Sequence, residues 1–243
     1  MTEPASQDYH QPILPGRGAS DYERYLRTDE LLSLQKPPGE RVHHDELLFQ
    51  TVHQSSELWL KLATSECDEA AALLEQDQIA PALRLLRRAV LCLQYVTTQI
   101  EMLNQMDPWE YQQIRVVLGH GSGFDSPGFR RVPQVTQRLG KAFDRLLAEA
   151  GLDLVALYQR GREFEELHQL AELLTEWDER IWMWRFRHYA IVARALGEET
   201  VGTQGTPVQV LGKLIAQRQL PKLWQVRSRL VELFDYERAR ENQ

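Results

Sequence analysis

Residues 41–78 have the sequence RVHHDELLFQTVHQSSELWLKLATSECDEAAALLEQDQ and contain neither proline nor glycine, the residues that most often interrupt a helix. Along the first half of this stretch, apolar and small residues recur every three or four positions, as on one face of an α-helix. They are Leu47, Leu48, Thr51, Val52, Ser55, Leu58, Trp59 and Leu62. The stretch therefore predicts one long helix.

Helical spacing continues along the rest of the chain, and no set of strands is indicated. Asp107 before a proline is typical of a helix start, and Gly197 is typical of a helix end. We expect an all-α bundle of long antiparallel helices, with a flexible N-terminal arm at 1–19 and a single domain over 20–243. The predicted helices cover residues 22–34, 41–78, 82–106, 109–118, 134–150, 152–175, 176–196, 208–218 and 221–238.

Two glycine-rich loops interrupt the helical pattern, GHGSGFDSPGFRRVP at 119–133 and GEETVGTQGTP at 197–207. Glycines in such loops can simply form turns. They can also let the backbone approach a ligand closely, because they have no side chain. The pattern leaves both interpretations open.

The composition excludes several classes of protein. The chain has 243 residues, 43% of them hydrophobic, with a formal charge of −7 and a pI near 5.6. An acidic chain is a poor match for nucleic acid, and no apolar run approaches the ~18 residues of a membrane helix. The N-terminus lacks the basic and apolar parts of a secretion signal. Cys67 and Cys92 are spaced as buried hydrophobic residues, not as a disulfide framework. We therefore expect a cytoplasmic protein without a nucleic-acid or membrane partner.

His188 is a candidate ligand for a heme iron. It lies in a helix-compatible stretch, Trp184-Arg-Phe-Arg-His188, and a neutral imidazole on an apolar helix suits the proximal position. Aromatic rings suit the faces of a porphyrin and arginines suit its propionates. The candidates for these contacts are Trp182, Trp184, Phe186, Arg185 and Arg187. Taken alone, a histidine on an apolar helix is more often a core residue.

A second histidine, His53, lies one helical turn after Phe49, and Glu57 lies one turn further. A di-iron site would need two Glu-x-x-His motifs among inward-facing helices, but the match at 165–168 lies in a charged, surface-like stretch. Zinc would need closely spaced histidines or a cysteine cluster. A serine hydrolase would need a Gly-x-Ser-x-Gly turn after a strand. The sequence disfavours all three.

Tyr111 and Arg115 are four residues apart on the predicted helix that leads into the first loop. An arginine there could bind a carboxylate through two parallel hydrogen bonds, although a surface arginine is the simpler interpretation. Thr203 in the second loop offers a hydroxyl group.

Together these stretches resemble the tryptophan 2,3-dioxygenase superfamily of heme-dependent aromatic oxygenases. Residues 43–62 are similar to the distal helix of that family, 111–124 to its substrate segment and 184–188 to its proximal heme helix. Gly202-Thr203 matches its substrate-capping loop, and Tyr22-x-x-Tyr25-Leu26 matches the N-terminal element that lines a neighbouring subunit's pocket. The matches occur in the family's order over most of the chain.

The resemblance implies a heme b pocket enclosed by the two glycine-rich loops. It also implies an aromatic amino acid and O2 or peroxide as substrates, and a homo-oligomer, with a tetramer expected. His188 would be the proximal iron ligand, and His53 a distal hydrogen-bonding group. In the substrate pocket, Phe49 would pack on the ring, Tyr111 and Arg115 would bind the carboxylate, and Thr203 would bind both the ammonium and the carboxylate. At the heme, Ser122 and Gly123 would lie at the distal edge, and Trp184 and Arg185 would contact the cofactor. Tyr22, Tyr25 and Leu26 would close a partner's pocket.

The sequence departs from the family pattern in two places. The segment between Phe124 and Trp177 is shorter than in the usual dioxygenase, and the second loop has fewer glycines and serines. Shortened relatives include enzymes that insert one oxygen atom into tryptophan derivatives or tyrosine. Two activities therefore stay open: a tryptophan 2,3-dioxygenase-like reaction that forms N-formylkynurenine, and a monooxygenase of a substituted tryptophan or of tyrosine in secondary metabolism. A non-catalytic heme sensor is disfavoured, because a gas sensor does not need the amino-acid clamp implied at Arg115, Tyr111 and Thr203. A plain helical interaction protein is the last alternative, and it would show no Soret absorption.

Overall fold

The computed structural model describes residue 9 and residues 11–241, and confirms the all-α prediction for this part of the chain. The only β pairing within it is an isolated bridge between Val201 and Pro207. No helix among the described residues combines the length and the apolar character that crossing a membrane requires. The α-helices are α1 (Asp21–Leu26), α2 (Thr28–Leu32), α3 (Glu46–Leu74), α4 (Ile79–Gln99), α5 (Pro108–Val117), α6 (Pro127–Glu149), α7 (Leu154–Gln159), α8 (Glu165–Leu196), α9 (Gln209–Ile215) and α10 (Pro221–Glu241).

Four of the long helices, α3, α4, α6 and α8, form the bundle and alternate in direction along the chain. α3 and α4 are antiparallel, because Ser55 bonds Gln99 at one end (3.0 Å) and Glu66 pairs with Arg88 nearer the other (3.3 Å). α6 lies against α3, and α8 lies against α4. The expected bundle of long antiparallel helices is therefore present.

One hydrophobic core fills the space between these helices. Trp177 of α8 is fully buried in it, and its indole N–H donates to the Thr136 hydroxyl of α6 at 2.8 Å, so the polar atom of this large ring is satisfied. The other large side chains that are fully buried in this core are Leu60, Leu74, Leu86, Leu93, Val96, Val135, Leu139, Leu157, Leu170 and Leu174.

A row of arginines at seven-residue spacing joins α6 to α3. A spacing of seven brings residues to the same helix face, and the partners follow in the same order along α3, so the two helices are parallel. The ion pairs are Arg131–Asp68 (2.5 Å), Arg138–Glu75 (2.8 Å) and Arg145–Asp77 (2.8 Å). Because these side chains are partly exposed, each pair contributes at most about 1 kcal/mol, and the row chiefly fixes the register.

Several predicted helix boundaries differ from the structure, and four of the differences have a local cause. α1 and α2 are separate because Arg27 has a left-handed φ of 55°. α6 begins earlier than predicted, at Pro127, since Ser126 caps it and proline is tolerated in a first turn. Residues 152–175 are not one helix, because the chain leaves helical geometry around Gly161. α8 then continues to residue 196 without the predicted division, and no proline or glycine interrupts it.

Asp178 of α8 connects the C-terminal helix to the bundle. Its carboxylate is 1% exposed and accepts the main-chain N–H of Gln219 (2.9 Å), that of Leu220 (2.9 Å) and the indole N–H of Trp224 (3.0 Å). These bonds satisfy a buried charge at the point where α10 begins. The C-terminal helix is thereby fixed to the same helix that carries His188.

Candidate functional site

His188 lies in the second half of α8, half-buried, with its ring parallel to that of Trp184 (centroids 5.0 Å apart, 9° between planes). Burial, together with the nearby His53, lowers the pKa of His188 to about 4, so the imidazole is neutral at pH 7. Within the described residues, neither ring nitrogen has a hydrogen-bond partner. A β-carbon at position 123 would lie 3.9 Å from His188 Nε2, an ordinary contact distance, so the first loop lies next to this nitrogen. A neutral imidazole without a hydrogen bond to a described residue fits a ligand of heme iron.

Only one of the three aromatic residues predicted around His188 lies against its ring. Trp184 packs between His188 and Phe129, and the ring centroids of Trp184 and Phe129 are 3.6 Å apart. Trp182 instead packs near Trp224 (6.5 Å), and Phe186 is 51% exposed. The predicted contact of Trp184 with a porphyrin stays a prediction.

The two arginines beside His188 are bonded to protein groups. Arg185 donates to the main-chain carbonyls of Leu214 (3.2 Å) and Gln217 (2.8 Å), which places it between α8 and α9. Arg187 forms an ion pair with Glu101. A propionate contact for Arg185 stays a prediction.

Phe49, His53 and Tyr111 come together as the sequence predicts. The rings of Phe49 and His53 are 4.0 Å apart, and those of Phe49 and Tyr111 are 6.1 Å apart. His53 Nδ1 lies 2.7 Å from the Phe49 carbonyl oxygen, which can only accept, so Nδ1 carries the proton. Although the His53 side chain is exposed in the single chain, desolvation by the surrounding protein atoms lowers its pKa, which favours the neutral ring with Nε2 as an acceptor. Burial also raises the pKa of Tyr111, which keeps its phenol protonated.

The two glycine-rich loops contact each other next to this group. Thr203 donates its hydroxyl hydrogen to the Gly121 carbonyl. Gln204 donates to the Asp125 carboxylate at 2.6 Å. Arg115 of α5 donates to the Val201 carbonyl at 2.5 Å, so the second loop is bonded both to the first loop and to α5.

Ser122 and Gly123 lie at the start of a 3-10 turn in the first loop. The Ser122 hydroxyl accepts the Phe124 N–H at 3.3 Å, and the Asp125 carboxylate accepts the Ser122 N–H at 3.2 Å. This capping arrangement places the backbone of Gly123 in front of His188.

Glu57 has a role that the sequence did not reveal. It is one turn beyond His53, and its carboxylate accepts the Ser126 hydroxyl and the Gly128 N–H (3.0 Å). A β-carbon at Gly128 would lie 2.6 Å from Leu60 Cβ and 2.8 Å from the Glu57 carboxylate, so only glycine permits this approach. The Ser-Pro-Gly sequence at the start of α6 was the available signal, because serine can cap and glycine can pack closely.

The predicted N-terminal group does not join the rest of the site within one chain. Tyr22, Tyr25 and Leu26 of α1 are 68%, 78% and 46% exposed. A contact with a partner's pocket stays a prediction for these residues.

Comparison with known proteins identifies one family. A family model described as "Tryptophan 2,3-dioxygenase" matches residues 8–148 and 134–230. Curated proteins named tryptophan 2,3-dioxygenase are similar over most of their length. Those of Bacillus thuringiensis and Bordetella parapertussis are both 30% identical over 86% of this chain, covering 92% and 90% of their own lengths. That of Pseudomonas fluorescens is 27% identical over 95% of this chain and 98% of its own.

Proposed function

The chain belongs to the tryptophan 2,3-dioxygenase family of heme-dependent oxygenases, and from this premise we propose that it oxidises the aromatic ring of L-tryptophan or a close analogue. The cofactor would be heme b and the oxidant O2 or peroxide. If the reaction is a full dioxygenation, the product is N-formylkynurenine.

The observation that carries the proposal is the environment of His188. Its imidazole is neutral and free of hydrogen bonds to described residues, and the first loop lies beside Nε2 at Gly123. His188 would hold the iron, with Ser122 and Gly123 at the distal edge of the heme. The bound heme would supply oxygen activation, and the protein would supply binding and orientation.

The group formed by Phe49, His53 and Tyr111 would bind the substrate. Phe49 offers an apolar ring, and His53 Nε2 can accept a hydrogen bond from an indole N–H or a phenol O–H. Arg115 uses one nitrogen for Val201, and its remaining donors could bind the substrate carboxylate beside Tyr111. Thr203, in the loop bonded to Gly121, would complete the binding of the charged end. Fixing both ends of a substrate places its ring for reaction.

A second candidate is a monooxygenase acting on a substituted tryptophan or on tyrosine. The two family-model matches overlap at residues 134–148, as expected if the family's middle segment is shortened here. The acceptor nitrogen of His53 can bind a phenol O–H as readily as an indole N–H.

The mass of the product distinguishes the two candidates. Purified, heme-loaded protein is offered tryptophan and tyrosine separately, and the first candidate expects a gain of two oxygen atoms on tryptophan. A gain of one oxygen on either amino acid, or on a hydroxylated tryptophan offered as a third substrate, supports the second. No product from any of the three contradicts both.

His53→Ala is expected to keep a normal heme content and to lose about 10-fold or more in kcat/KM, since positioned hydrogen-bonding groups contribute up to roughly 10²–10⁴-fold. His53 contacts Phe49 and belongs to α3, whereas His188 belongs to α8. The comparison is steady-state kinetics at matched heme content. Heme loss in this variant would show that His53, and not His188, ligates the iron.

We also propose that the protein works as a homo-oligomer, with a tetramer expected, in which α1 lines a partner's pocket. Tyr22, Tyr25 and Leu26 are large, mostly apolar and exposed on one chain. Deletion of residues 1–28 should therefore weaken assembly and turnover together. Light scattering and product formation are measured on the same samples. A shortened protein that is monomeric yet fully active would exclude the contribution in trans.

A further inference from the structure

We propose that Phe129 and Trp184 are positioning residues that set the ring orientation of His188, and that Glu57 holds this aromatic stack in place. The inference rests on the proposed function, because it concerns the residue expected to ligate the iron. It assigns to Phe129 and Glu57 a role outside direct contact with heme or substrate.

The three rings form a continuous stack from α6 to α8. Phe129 lies 3.6 Å from Trp184 with 26° between the planes, and Trp184 lies 5.0 Å from His188 with 9° between the planes. Both Phe129 and Trp184 also pack against the buried core of the bundle. A nearly parallel neighbour restricts rotation of the imidazole about its Cβ–Cγ bond.

The imidazole of His188 depends on a stacked neighbour for its orientation, because no hydrogen bond to a described residue fixes it. A histidine that ligates a metal commonly donates its other ring N–H to a carboxylate or carbonyl, and this bond fixes the ring. No described residue accepts such a bond from His188. Stacking on Trp184 is therefore the contact that orients the ligand.

Glu57 fixes the other end of the stack. Its carboxylate binds Ser126 and the Gly128 N–H, on either side of Pro127 where α6 begins, and Phe129 is the next residue. Gly128 packs directly on Leu60 of α3, which leaves α6 little freedom to shift. The first loop, with Gly123 in front of His188, leads directly into this anchor. The same carboxylate therefore supports both sides of the proposed heme site.

The test compares Phe129→Leu with Phe143→Leu in the full-length, heme-loaded protein. Phe143 lies on the same helix and is buried in the core, 3% exposed, but forms no ring contact with Trp184. Two quantities are measured: the rate of heme transfer to excess apomyoglobin, and the iron–histidine stretching band of the ferrous protein by resonance Raman spectroscopy. Phe129→Leu should accelerate heme loss roughly 2- to 10-fold, the range expected for a stacked aromatic pair, and should shift or broaden the band.

Phe129→Tyr, which keeps the ring, should stay close to the wild type, and Phe143→Leu should lower thermal stability without changing the band. Glu57→Ala should change both quantities in the same direction as Phe129→Leu, whereas Glu69→Ala, an exposed glutamate of the same helix, should change neither. This second pair decides the question if Phe129→Leu does not fold.

Two results overturn the inference alone. In the first, His188 is shown to be required for heme binding, yet neither Phe129→Leu nor Glu57→Ala changes the iron–histidine band or the rate of heme transfer. The other is the same change in Phe143→Leu, because general loss of packing would then explain it. A wild-type protein that takes up no heme would overturn the proposed function, and the inference with it.

Discussion

Replacing His188 with alanine is expected to remove heme from the protein while leaving the helical fold in place. Removing a residue that only hydrogen-bonds a metal ligand typically weakens metal binding by about 10–100-fold, so removing the ligand itself should weaken heme binding by about 100-fold or more. His188 is only half-buried and makes no hydrogen bond to a described residue, so alanine leaves little unsatisfied. Soret absorbance per mole of protein and far-ultraviolet circular dichroism measure the two expectations separately.

The matched control is His168→Ala. His168 lies on the same helix, in the part that precedes Trp177. Its ring contacts that of Tyr158 edge-on, with centroids 5.1 Å apart. This variant should keep full heme. If His188→Ala instead retains heme with unchanged ferric and ferrous spectra, the assignment of the proximal ligand is wrong.

Arg115→Ala is expected to raise the apparent binding constant for the amino acid by ~30-fold or more, with heme absorption unchanged. Truncating one partner of a buried, hydrogen-bonded charge pair costs about 2–5 kcal/mol. Arg115 lies one turn from Tyr111, close to the group that would receive the aromatic ring. Spectral titration with tryptophan measures the change directly.

Arg115 also bonds the second loop through Val201, so the experiment must separate loss of the clamp from loss of loop order. Tryptamine, which lacks the carboxylate, makes that separation. A carboxylate clamp predicts weaker tryptophan binding and nearly unchanged tryptamine binding. A loop effect predicts that both weaken, and equal affinity of the wild type for tryptophan and tryptamine would contradict the clamp. Arg84→Ala, an exposed arginine of α4, controls for the change in net charge.

Much of the fold followed from local signals. The long helix α3 was predicted because its stretch lacks helix breakers, and Asp107 indeed caps α5 by accepting the Trp109 and Glu110 N–H groups. The errors occurred where tertiary contacts decide the backbone. Arg27 adopts a left-handed conformation that propensity does not indicate, and the long α8 had been divided although nothing in its sequence breaks it.

The site was predictable where helical periodicity sets the geometry. Phe49 and His53 share a face because they are four residues apart, and the structure places their rings in contact. Contacts between distant segments could not be predicted in this way. The interactions of Glu57 with Ser126, and of Trp184 with Phe129, join residues far apart in the chain. The Ser-Pro-Gly sequence at the start of α6 indicates a capped, closely packed helix start, but a single sequence does not identify the distant partner.

The buried carboxylate of Asp178 makes the C-terminal helix obligatory rather than accessory. A chain ending before Gln219 would keep an aspartate inside the bundle without its three N–H donors, and an unpaired buried charge costs several kcal/mol. Water would then have to reach this carboxylate between the helices, about three turns from His188 on the same helix. Shortening the protein at this end should therefore disturb the surroundings of the proposed iron ligand, although α10 supplies none of the predicted site residues.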